Sequence, residues 1–311
     1  MSRREGELVR VGVLGRTGML INAARALAEH GHQISFVQTC GTGRYQGAEP
    51  ADFARLAADF SAPFLTSAIR LSAEAWRNTA TDVCISINWP TLIPVDVLDL
   101  FPHGILNAHA GDLPRYRGNA CPNWAILNGE TQVGLTVHRM VPELDAGPWL
   151  CKAFMPLDDS IYIGEVYAWL ERAVPPLFCE ALERLQTTGF RPQDPAIRPL
   201  RSYPRRPEDA RIDWTRSSAQ ILALIRASSR PFDGAFTTLE GQRTLRIWRA
   251  SAVPLSFDAL AVPGQVCMAH GEDPVIATND GMIQIEDCSM EELAAPETKR
   301  AVLSSLRNRL I

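Results

Sequence analysis

The sequence predicts an α/β protein whose parallel sheet is followed by a smaller β domain. A strand, a glycine-containing turn, a helix and a second strand follow one another within residues 8–39, which is the opening unit of a parallel sheet. The continuous apolar run Val83–Ile87 is typical of a strand buried on both faces. Several short strands separated by turn signals follow residue 233, a spacing typical of a small barrel. We therefore expect a Rossmann-like sheet with flanking helices and a C-terminal β-barrel of the OB-like kind.

The elements of the first domain follow from hydrophobic periodicity and turn residues. Residues 8–14 predict the first strand, and residues 19–30 predict a helix that Gly31 ends in a left-handed conformation. Gln33–Thr39 predicts the second strand, and residues 41–50 predict a loop. The remaining elements are helices at 52–60 and 72–78, strands at 64–65, 83–87, 104–107 and 131–140, and a long amphipathic helix at 163–185 interrupted at 175–176.

A segment rich in proline and arginine, residues 189–207, interrupts this pattern and is typical of a linker. We predict a first domain at 1–190, a linker at 191–207 and a β-barrel-like domain at 208–311. The last domain comprises a helix at 217–227 and strands at 234–239, 244–250, 264–268, 274–278 and 281–287.

Composition limits the classes of function. The chain has 311 residues, of which 46% are hydrophobic and 21% are charged, as expected of a globular protein. Lys and Arg number 31 against 35 for Asp and Glu, a net charge of -4. This balance does not supply the basic surface of a nucleic-acid binder, so we do not expect a nucleic-acid partner. No stretch approaches the roughly 20 apolar residues of a membrane span, so no membrane association is predicted.

The cysteines and histidines indicate neither disulfides nor a metal. The seven cysteines form no CxxC pair, so we predict reduced thiols, no metal and a cytoplasmic location. His103, His109 and His138 lack the close spacing that zinc ligands favour. The turn at residues 15–18 lacks the full G-x-G-x-x-G pattern, so it predicts no dinucleotide site.

Residues 104–150 carry the candidate chemistry. Asn107 and His109 lie two apart at the end of a predicted strand, so their side chains share a face at the edge where ligands bind. Asp145 follows the 131–140 strand and can approach the imidazole if the two strands are neighbours. Cys121 has no adjacent base in the sequence, so no thiol nucleophile is predicted. This set suits direct attack of an external amine on a carbonyl, with Asn107 and a protonated His109 stabilising the negative oxygen and Asp145 raising the pKa of the imidazole.

Four short motifs in this region carry a family resemblance. They are Asn107-Ala108-His109, Leu113-Pro114-Arg115-Tyr116-Arg117-Gly118, Asn128-Gly129-Glu130-Thr131 and Leu144-Asp145-Ala146-Gly147. In this order and spacing they resemble the folate-dependent formyltransferases, including nucleotide-amino-sugar N-formyltransferases and methionyl-tRNA formyltransferase. Arg211-Ile212-Asp213-Trp214 and the segment 231–236 resemble the start of that family's C-terminal domain.

The resemblance implies a reaction and a set of site residues. It implies an N-formyltransferase with 10-formyltetrahydrofolate as the donor, no metal, and a catalytic domain at 1–190. The residues matching the catalytic positions are Asn107, His109 and Asp145. Those bordering the folate are Asn88, Trp89, Leu92, Ile93, Leu144 and Asp145. Those on the acceptor loop are Arg115, Tyr116, Arg117 and Asn119. Arg115 and Arg117 suit a phosphate-bearing acceptor, because guanidinium groups match phosphate oxygens, or are two solvated surface residues.

The acceptor stays open at the level of the sequence. A nucleotide-linked amino sugar is favoured by the resemblance of residues 136–140 to sugar formyltransferases. Initiator methionyl-tRNA is less favoured, because the loop at 41–50 has one arginine and no lysine. A small amine such as a hydroxyornithine side chain, hydrolysis of the donor, and a catalytically silent binder remain alternatives. A homodimer is also left open.

One departure from the family motif affects the site. The family has a serine and a leucine where this chain has Gly111 and Asp112. Asp112 is expected either to bind an ammonium or hydroxyl group of the acceptor or to cap the following turn.

Overall fold

The computed structural model describes residues 8–41, 47–66, 74, 76–77, 79–257, 259–291, 293 and 295–311, called the described residues below. The chain divides into two compact units. Unit 1 is Met1–Cys121, Val133–Pro156 and Tyr167–Tyr203, and unit 2 is Pro122–Gln132, Leu157–Val166 and Pro204–Ile311. Residues 191–203 of the predicted linker thus belong to unit 1, and residues 204–207 belong to unit 2.

The helices and strands are as follows in chain order. The strands are β1 (Arg10–Gly15), β2 (Gln33–Thr39), β3 (Phe64–Thr66), β4 (Val83–Ile87), β5 (Ile105–His109), β6 (Tyr116–Gly118), β7 (Gln132–Arg139), β8 (Trp149–Pro156), β9 (Leu200–Ser202), β10 (Ala235–Leu239), β11 (Arg243–Ala252), β12 (Val266–His270), β13 (Asp273–Ala277) and β14 (Met282–Met290). The helices are α1 (Gly18–Glu29), α2 (Pro50–Asp59), α3 (Val95–Leu98), α4 (Cys121–Leu127), α5 (Ile163–Thr187), α6 (Ser218–Ser228) and α7 (Ala295–Leu303).

The main sheet of unit 1 has the strand order β3-β2-β1-β4-β5-β7-β8. The strands from β3 to β5 are parallel to one another, and β7 runs antiparallel to β5. The chain between β5 and β7 contains β6 and α4. The predicted α/β fold with a mainly parallel sheet is therefore confirmed, and β7 is its antiparallel exception.

Local signals and core packing explain how this sheet is covered. Thr17 caps the N-terminus of α1, where its hydroxyl accepts a hydrogen bond from Leu20 N at 3.3 Å. Phe36 on β2 stacks on Trp76, with ring centroids 5.8 Å apart, within a buried cluster that includes Phe101. These apolar contacts fix one face of the sheet, while the carboxyl ends of β1, β4 and β5 meet at one edge.

Unit 2 contains an antiparallel sheet with the strand order β10-β11-β14-β13-β12, a Greek-key order. Its core includes Ile247, Ile283 and Ile285, which are fully buried. The last residues of the chain bridge the two edge strands: Leu310 pairs with Leu239 of β10, and residue 309 pairs with residue 265 beside β12. The predicted smaller β domain is confirmed.

Some sequence-based expectations need correction. The predicted break at Pro175 and Pro176 is wrong, because α5 runs through both prolines. Proline removes a helical hydrogen bond, but Val174, Leu177 and Phe178 beside the pair are buried and hold the helix in place. The sequence did not predict β6, β8, β9, α3, α4 or α7. Most of the predicted helix at 72–78, and residues 42–46 of the predicted loop, lie outside the described residues.

Among the described helices, none has the length and apolar character to cross a bilayer.

Candidate active site

The end of β5 places Asn107 and His109 on one face of the sheet, and both are buried. Alternation along a strand requires this shared face. In the antiparallel pairing with β7, Asn107 lies opposite His138 and His109 lies opposite Thr136. Two polar side chains from β5 and two from β7 are thereby placed side by side.

The imidazole of His109 faces a hydrogen-bond acceptor at each nitrogen. Nε2 donates to the carbonyl oxygen of Tyr116 at 2.7 Å, and Nδ1 lies 3.7 Å from Oδ2 of Asp145. Burial alone would lower the pKa of this imidazole. The carboxylate of Asp145, with smaller contributions from Cys121 and the Tyr116 carbonyl, outweighs burial and raises the pKa to about 9. His109 is therefore an imidazolium at neutral pH.

The second buried histidine, His138, differs from His109 in being uncharged at neutral pH. Its Nδ1 donates to the carbonyl oxygen of Arg139 at 3.0 Å, so Nε2 keeps a lone pair that accepts a hydrogen bond from Asn107 Nδ2 at 3.3 Å. Burial, together with the positive charge of His109, lowers the pKa of His138 to about 4. A neutral His138 thus fixes the orientation of the Asn107 amide. Sequence analysis did not identify His138 as a site residue. Its position in the predicted 131–140 strand was the one signal that could have done so.

Asp145 lies on the turn between β7 and β8 and completes the predicted trio. Its backbone has a φ of 51°, in the left-handed region, and its Oδ2 accepts a hydrogen bond from Gly118 N at 2.8 Å. Gln193 Nε2 donates to the carbonyl oxygens of Asp145 at 2.6 Å and Gly147 at 2.8 Å. The structure therefore brings Asn107, His109 and Asp145 together and adds Gln193, a residue that sequence reasoning missed.

The predicted acceptor loop is only partly exposed. Arg115 and Asn119 are exposed, whereas Tyr116 is buried. Arg117 Nη1 contacts Glu143 Oε1 at 2.9 Å and its Nη2 donates to Gln193 Oε1 at 2.8 Å, so both ends of its guanidinium are engaged within the protein. β6, which carries Tyr116 and Arg117, pairs in parallel with β9.

The predicted folate segment follows β4 and has features that fit a ligand. Asn88 has a φ of 55° and is exposed, and Leu92 is 70% exposed. The buried indole Nε1 of Trp89 finds no hydrogen-bond partner among the described residues. A buried donor without a partner, on a segment that also carries an exposed apolar side chain, suits a ligand with acceptor atoms. The side chain of Ile93 lies in a buried cluster of unit 1, and Trp89 packs against the same cluster.

Comparison with known families decides the family. The model described as formyl transferase matches residues 39–182, and the model described as formyl transferase, C-terminal domain, matches residues 205–299. Together they match well over half of the chain. This chain belongs to the formyl transferase family. The family predicted from the four motifs is thereby confirmed.

Solved structures with a related fold extend this comparison. HypX from Aquifex aeolicus in complex with tetrahydrofolic acid is 21% identical with a TM-score of 0.62, over 91% of this chain and 44% of HypX. This chain thus spans about half the length of HypX. An N-formyltransferase from Helicobacter canadensis, in complex with folinic acid and dTDP-3-aminofucose, is 15% identical with a TM-score of 0.66, over 89% of this chain and 99% of that one. A sugar N-formyltransferase from Shewanella sp FDAARGOS_354 is 16% identical with a TM-score of 0.58, over 73% and 92% of the two chains. At these identities the likeness is one of fold.

The structure places Cys121 beside His109, a contact that the sequence did not predict. Its Sγ lies 3.6 Å from His109 Nε2 and 3.1 Å from the hydroxyl of Ser202. The loop after β5 folds back on the strand, so two residues twelve positions apart come into contact. No pattern in the sequence indicates this contact. The thiol is buried and lies beside the charged imidazole.

The departure at Gly111 and Asp112 from the formyl transferase motif has a structural explanation. A Cβ at Gly111 would lie 2.5 Å from both His109 Nε2 and the Tyr116 carbonyl oxygen, so the hydrogen bond between them needs a glycine here. Asp112 Oδ1 forms an ion pair with Lys152 Nζ at 2.7 Å. Of the expected roles for Asp112, binding an acceptor ammonium therefore competes with a lysine of the same chain.

A metal site is absent from the part of the formyl transferase that the structure describes. There, no three His, Cys, Asp or Glu side chains are grouped so that they could hold a metal ion. Seven described cysteines are free thiols, with no disulfide among them.

Proposed function

We propose that this protein is an N-formyltransferase that moves a formyl group from 10-formyltetrahydrofolate to an amine, with Asn107, His109 and Asp145 as its catalytic residues. The observation that carries the proposal is the buried His109 imidazole, placed between the Asp145 carboxylate and the Tyr116 carbonyl on the same strand face as Asn107. A preorganised positive charge and an oriented amide donor are what transfer at a carbonyl requires.

When bound, 10-formyltetrahydrofolate supplies a formyl group whose oxygen gains negative charge as the amine attacks. The Asn107 amide donates one hydrogen to His138, and its second hydrogen can be donated to the formyl oxygen. Nδ1 of His109 lies 3.7 Å from Oδ2 of Asp145, too far for a hydrogen bond to hold the Nδ1 proton. This proton is available to stabilise the oxygen or to pass to the leaving nitrogen as the bond between that nitrogen and the formyl carbon breaks; the proton lost by the attacking amine then restores the imidazolium. Asp145 keeps the imidazole charged between turnovers.

The donor is held, in this proposal, by the segment after β4 and the turn that carries Asp145. Asn88 and Leu92 are exposed, and Trp89 contributes a buried indole N–H without a partner. Leu144 borders the opposite side, and Ile93 contributes through its backbone. These features support donor binding here.

The acceptor we favour is the amino group of a nucleotide-linked amino sugar. The Helicobacter canadensis relative, whose structure contains dTDP-3-aminofucose, supports this choice. Arg115, exposed at the loop, and not Arg117, is the residue to contact a phosphate. We place the catalytic domain at 1–190 and the C-terminal domain at 208–311, and the reaction in the cytoplasm. Methionyl-tRNA and a hydroxyornithine-type amine are the alternative acceptors, and hydrolysis of the donor is the alternative reaction.

The test is release of tetrahydrofolate from 10-formyltetrahydrofolate, followed spectrophotometrically with a panel of amines. The panel contains dTDP-3-aminofucose, hydroxyornithine and aminoacylated initiator tRNA. We expect release that depends on the amino sugar and is reduced about 10²–10³-fold in His109→Ala. Release that no amine accelerates points to hydrolysis, and full activity of His109→Ala contradicts the assigned role.

A further inference from the structure

A pocket of about 420 Å³ lies in unit 1 beside the turn that carries Asp145. Glu143 and Ala146 of that turn line it, with Arg117 of β6 and residues of the segment 192–199. Its size falls within the range of small-molecule sites. Most of its wall comes from a stretch whose composition is typical of a linker.

The lining of this pocket suits an uncharged or cationic ring better than an anion. Five of the lining residues are prolines, at positions 114, 148, 192, 195 and 199, and their rings are rigid and apolar. Glu143 and Asp194 bring two carboxylates, and the one cation among the described lining residues is Arg117. Glu143 and Gln193 engage both terminal nitrogens of that guanidinium, and its remaining Nε–H is buried, so a phosphate entering here would meet no exposed N–H donor of Arg117.

Gln193 connects the wall of the pocket to the catalytic turn. Its amide nitrogen donates to the Asp145 and Gly147 carbonyl oxygens, and its amide oxygen accepts from Arg117. Asp145 has a left-handed backbone conformation, which costs a non-glycine residue energy and persists only when its surroundings hold it. The two short bonds from Gln193 are such a restraint.

We propose that this pocket receives the ring or chain of the acceptor that bears the amine, without its phosphates, and that Gln193 is a positioning residue that holds the Asp145 turn at the pocket's edge. The proposal rests on the proposed formyl transfer. A nucleotide-linked acceptor would place its amino sugar against the proline wall and its phosphates outside. The segment 192–199 then determines acceptor specificity.

The first test fills the pocket. Ile197 lines it and is 43% exposed, so Ile197→Arg should fold normally while occupying the space. Phe154→Arg is the matched control, because Phe154 is 44% exposed in the same unit and does not line the pocket. We expect Ile197→Arg to raise KM for dTDP-3-aminofucose or hydroxyornithine, whichever the wild type uses, about 10-fold or more. Affinity for tetrahydrofolate, measured by calorimetry, should be unchanged in both variants. An unchanged KM in Ile197→Arg overturns the pocket assignment.

The second test separates positioning from general stability. Gln193→Ala removes all three hydrogen bonds, and Gln193→Glu keeps the acceptor for Arg117 but sets a carboxylate against two carbonyl oxygens. We expect kcat to fall about 10- to 100-fold in both variants, because small displacements of a catalytic group are costly. The KM for 10-formyltetrahydrofolate should be unchanged. The alkaline limb of the pH profile should move to lower pH, because Asp145 shifts away from His109. A Glu variant as active as the wild type would overturn the role.

Failure of the proposed function is distinguished by direct binding. If the wild type binds tetrahydrofolate but no amine accelerates the release of tetrahydrofolate from the donor, formyl transfer to these amines is disproved. The pocket assignment can then still be tested by binding. Binding of the same two amines is then titrated by calorimetry. Binding to the wild type and to Phe154→Arg, but not to Ile197→Arg, supports the pocket. Binding that survives Ile197→Arg, or no binding to the wild type, overturns it.

Discussion

The charge of His109 depends on Asp145, so Asp145→Asn should lower the pKa of His109 from about 9 to below the ordinary 6.5. In the wild type, burial lowers this pKa and the carboxylate outweighs it. The amide variant keeps the shape of the side chain, and its oxygen still accepts from Gly118 N, but the negative charge is gone. Burial then determines the titration of the imidazole.

The size of the effect follows from the shift itself. A rise from 6.5 to about 9 corresponds to about 3 kcal/mol in favour of the imidazolium. The folded pKa of His109 lies above the unfolded one, so this stabilisation is fully present below pH 6.5 and is lost as the pH rises through about 9. Asp145→Asn should therefore be less stable than the wild type by up to about 3 kcal/mol at pH 6. The difference should narrow above pH 9.

The assay is an NMR titration of protein labelled with ¹⁵N-histidine. The chain has 6 histidines, and His109→Gln identifies the resonance of interest. Glu180→Gln, which removes a surface carboxylate on α5, is the control and should leave the His109 titration unchanged. A wild-type His109 that titrates at or below 6.5, or one that still titrates near 9 in Asp145→Asn, refutes the reasoning. With the charge lost, turnover of Asp145→Asn at neutral pH should fall about 10²–10³-fold.

Three further substitutions test the site. Asn107→Ala should cut kcat about 10²–10³-fold with unchanged tetrahydrofolate affinity, because the amide acts on the developing charge; a loss confined to KM would contradict this. Trp89→Phe removes the indole N–H and keeps a ring, and should weaken tetrahydrofolate binding by about 1 kcal/mol in calorimetry; equal affinity would show that the donor does not use this group. Gly111→Ala would place its Cβ 2.5 Å from His109 Nε2 and the Tyr116 oxygen, so turnover should fall and the His109 pKa should drop, and a wild-type pH profile would disprove the contact.

The trio could be predicted because its residues lie at positions that periodicity and sheet rules control. Asn107 and His109 share a face because they are two apart on a strand. Asp145 approaches them because β7, the strand before its turn, is a neighbour of β5. The antiparallel direction of β7 could not be predicted, because an apolar alternation is the same in either direction. Its consequence, the pairing of Asn107 with His138, was therefore missed.

Residues that act through the folding of irregular segments were missed for a different reason. Gln193 lies in a proline- and arginine-rich stretch whose local pattern is that of a linker. It reaches Asp145, 48 positions away, through side-chain to backbone bonds that no periodicity encodes. Cys121 meets His109 only because the loop between β5 and α4 folds back onto the strand. In both cases the contact depends on tertiary structure. The local sequence alone favours a linker residue for Gln193 and an isolated thiol for Cys121.

The departure at Gly111 and Asp112 is accommodated by residues elsewhere in unit 1. Without a side chain at position 111, the loop brings the Tyr116 carbonyl to His109 Nε2. The carboxylate this places at Asp112 is paired with Lys152 on β8. A Cβ at Gly134 of β7 would lie 2.8 Å from Asp112 Cα, so the loop's path also needs a glycine on the neighbouring strand. Because Lys152 offsets the charge of Asp112, the loop adds little net charge near the imidazole, and Asp145 remains the carboxylate that sets the charge of His109.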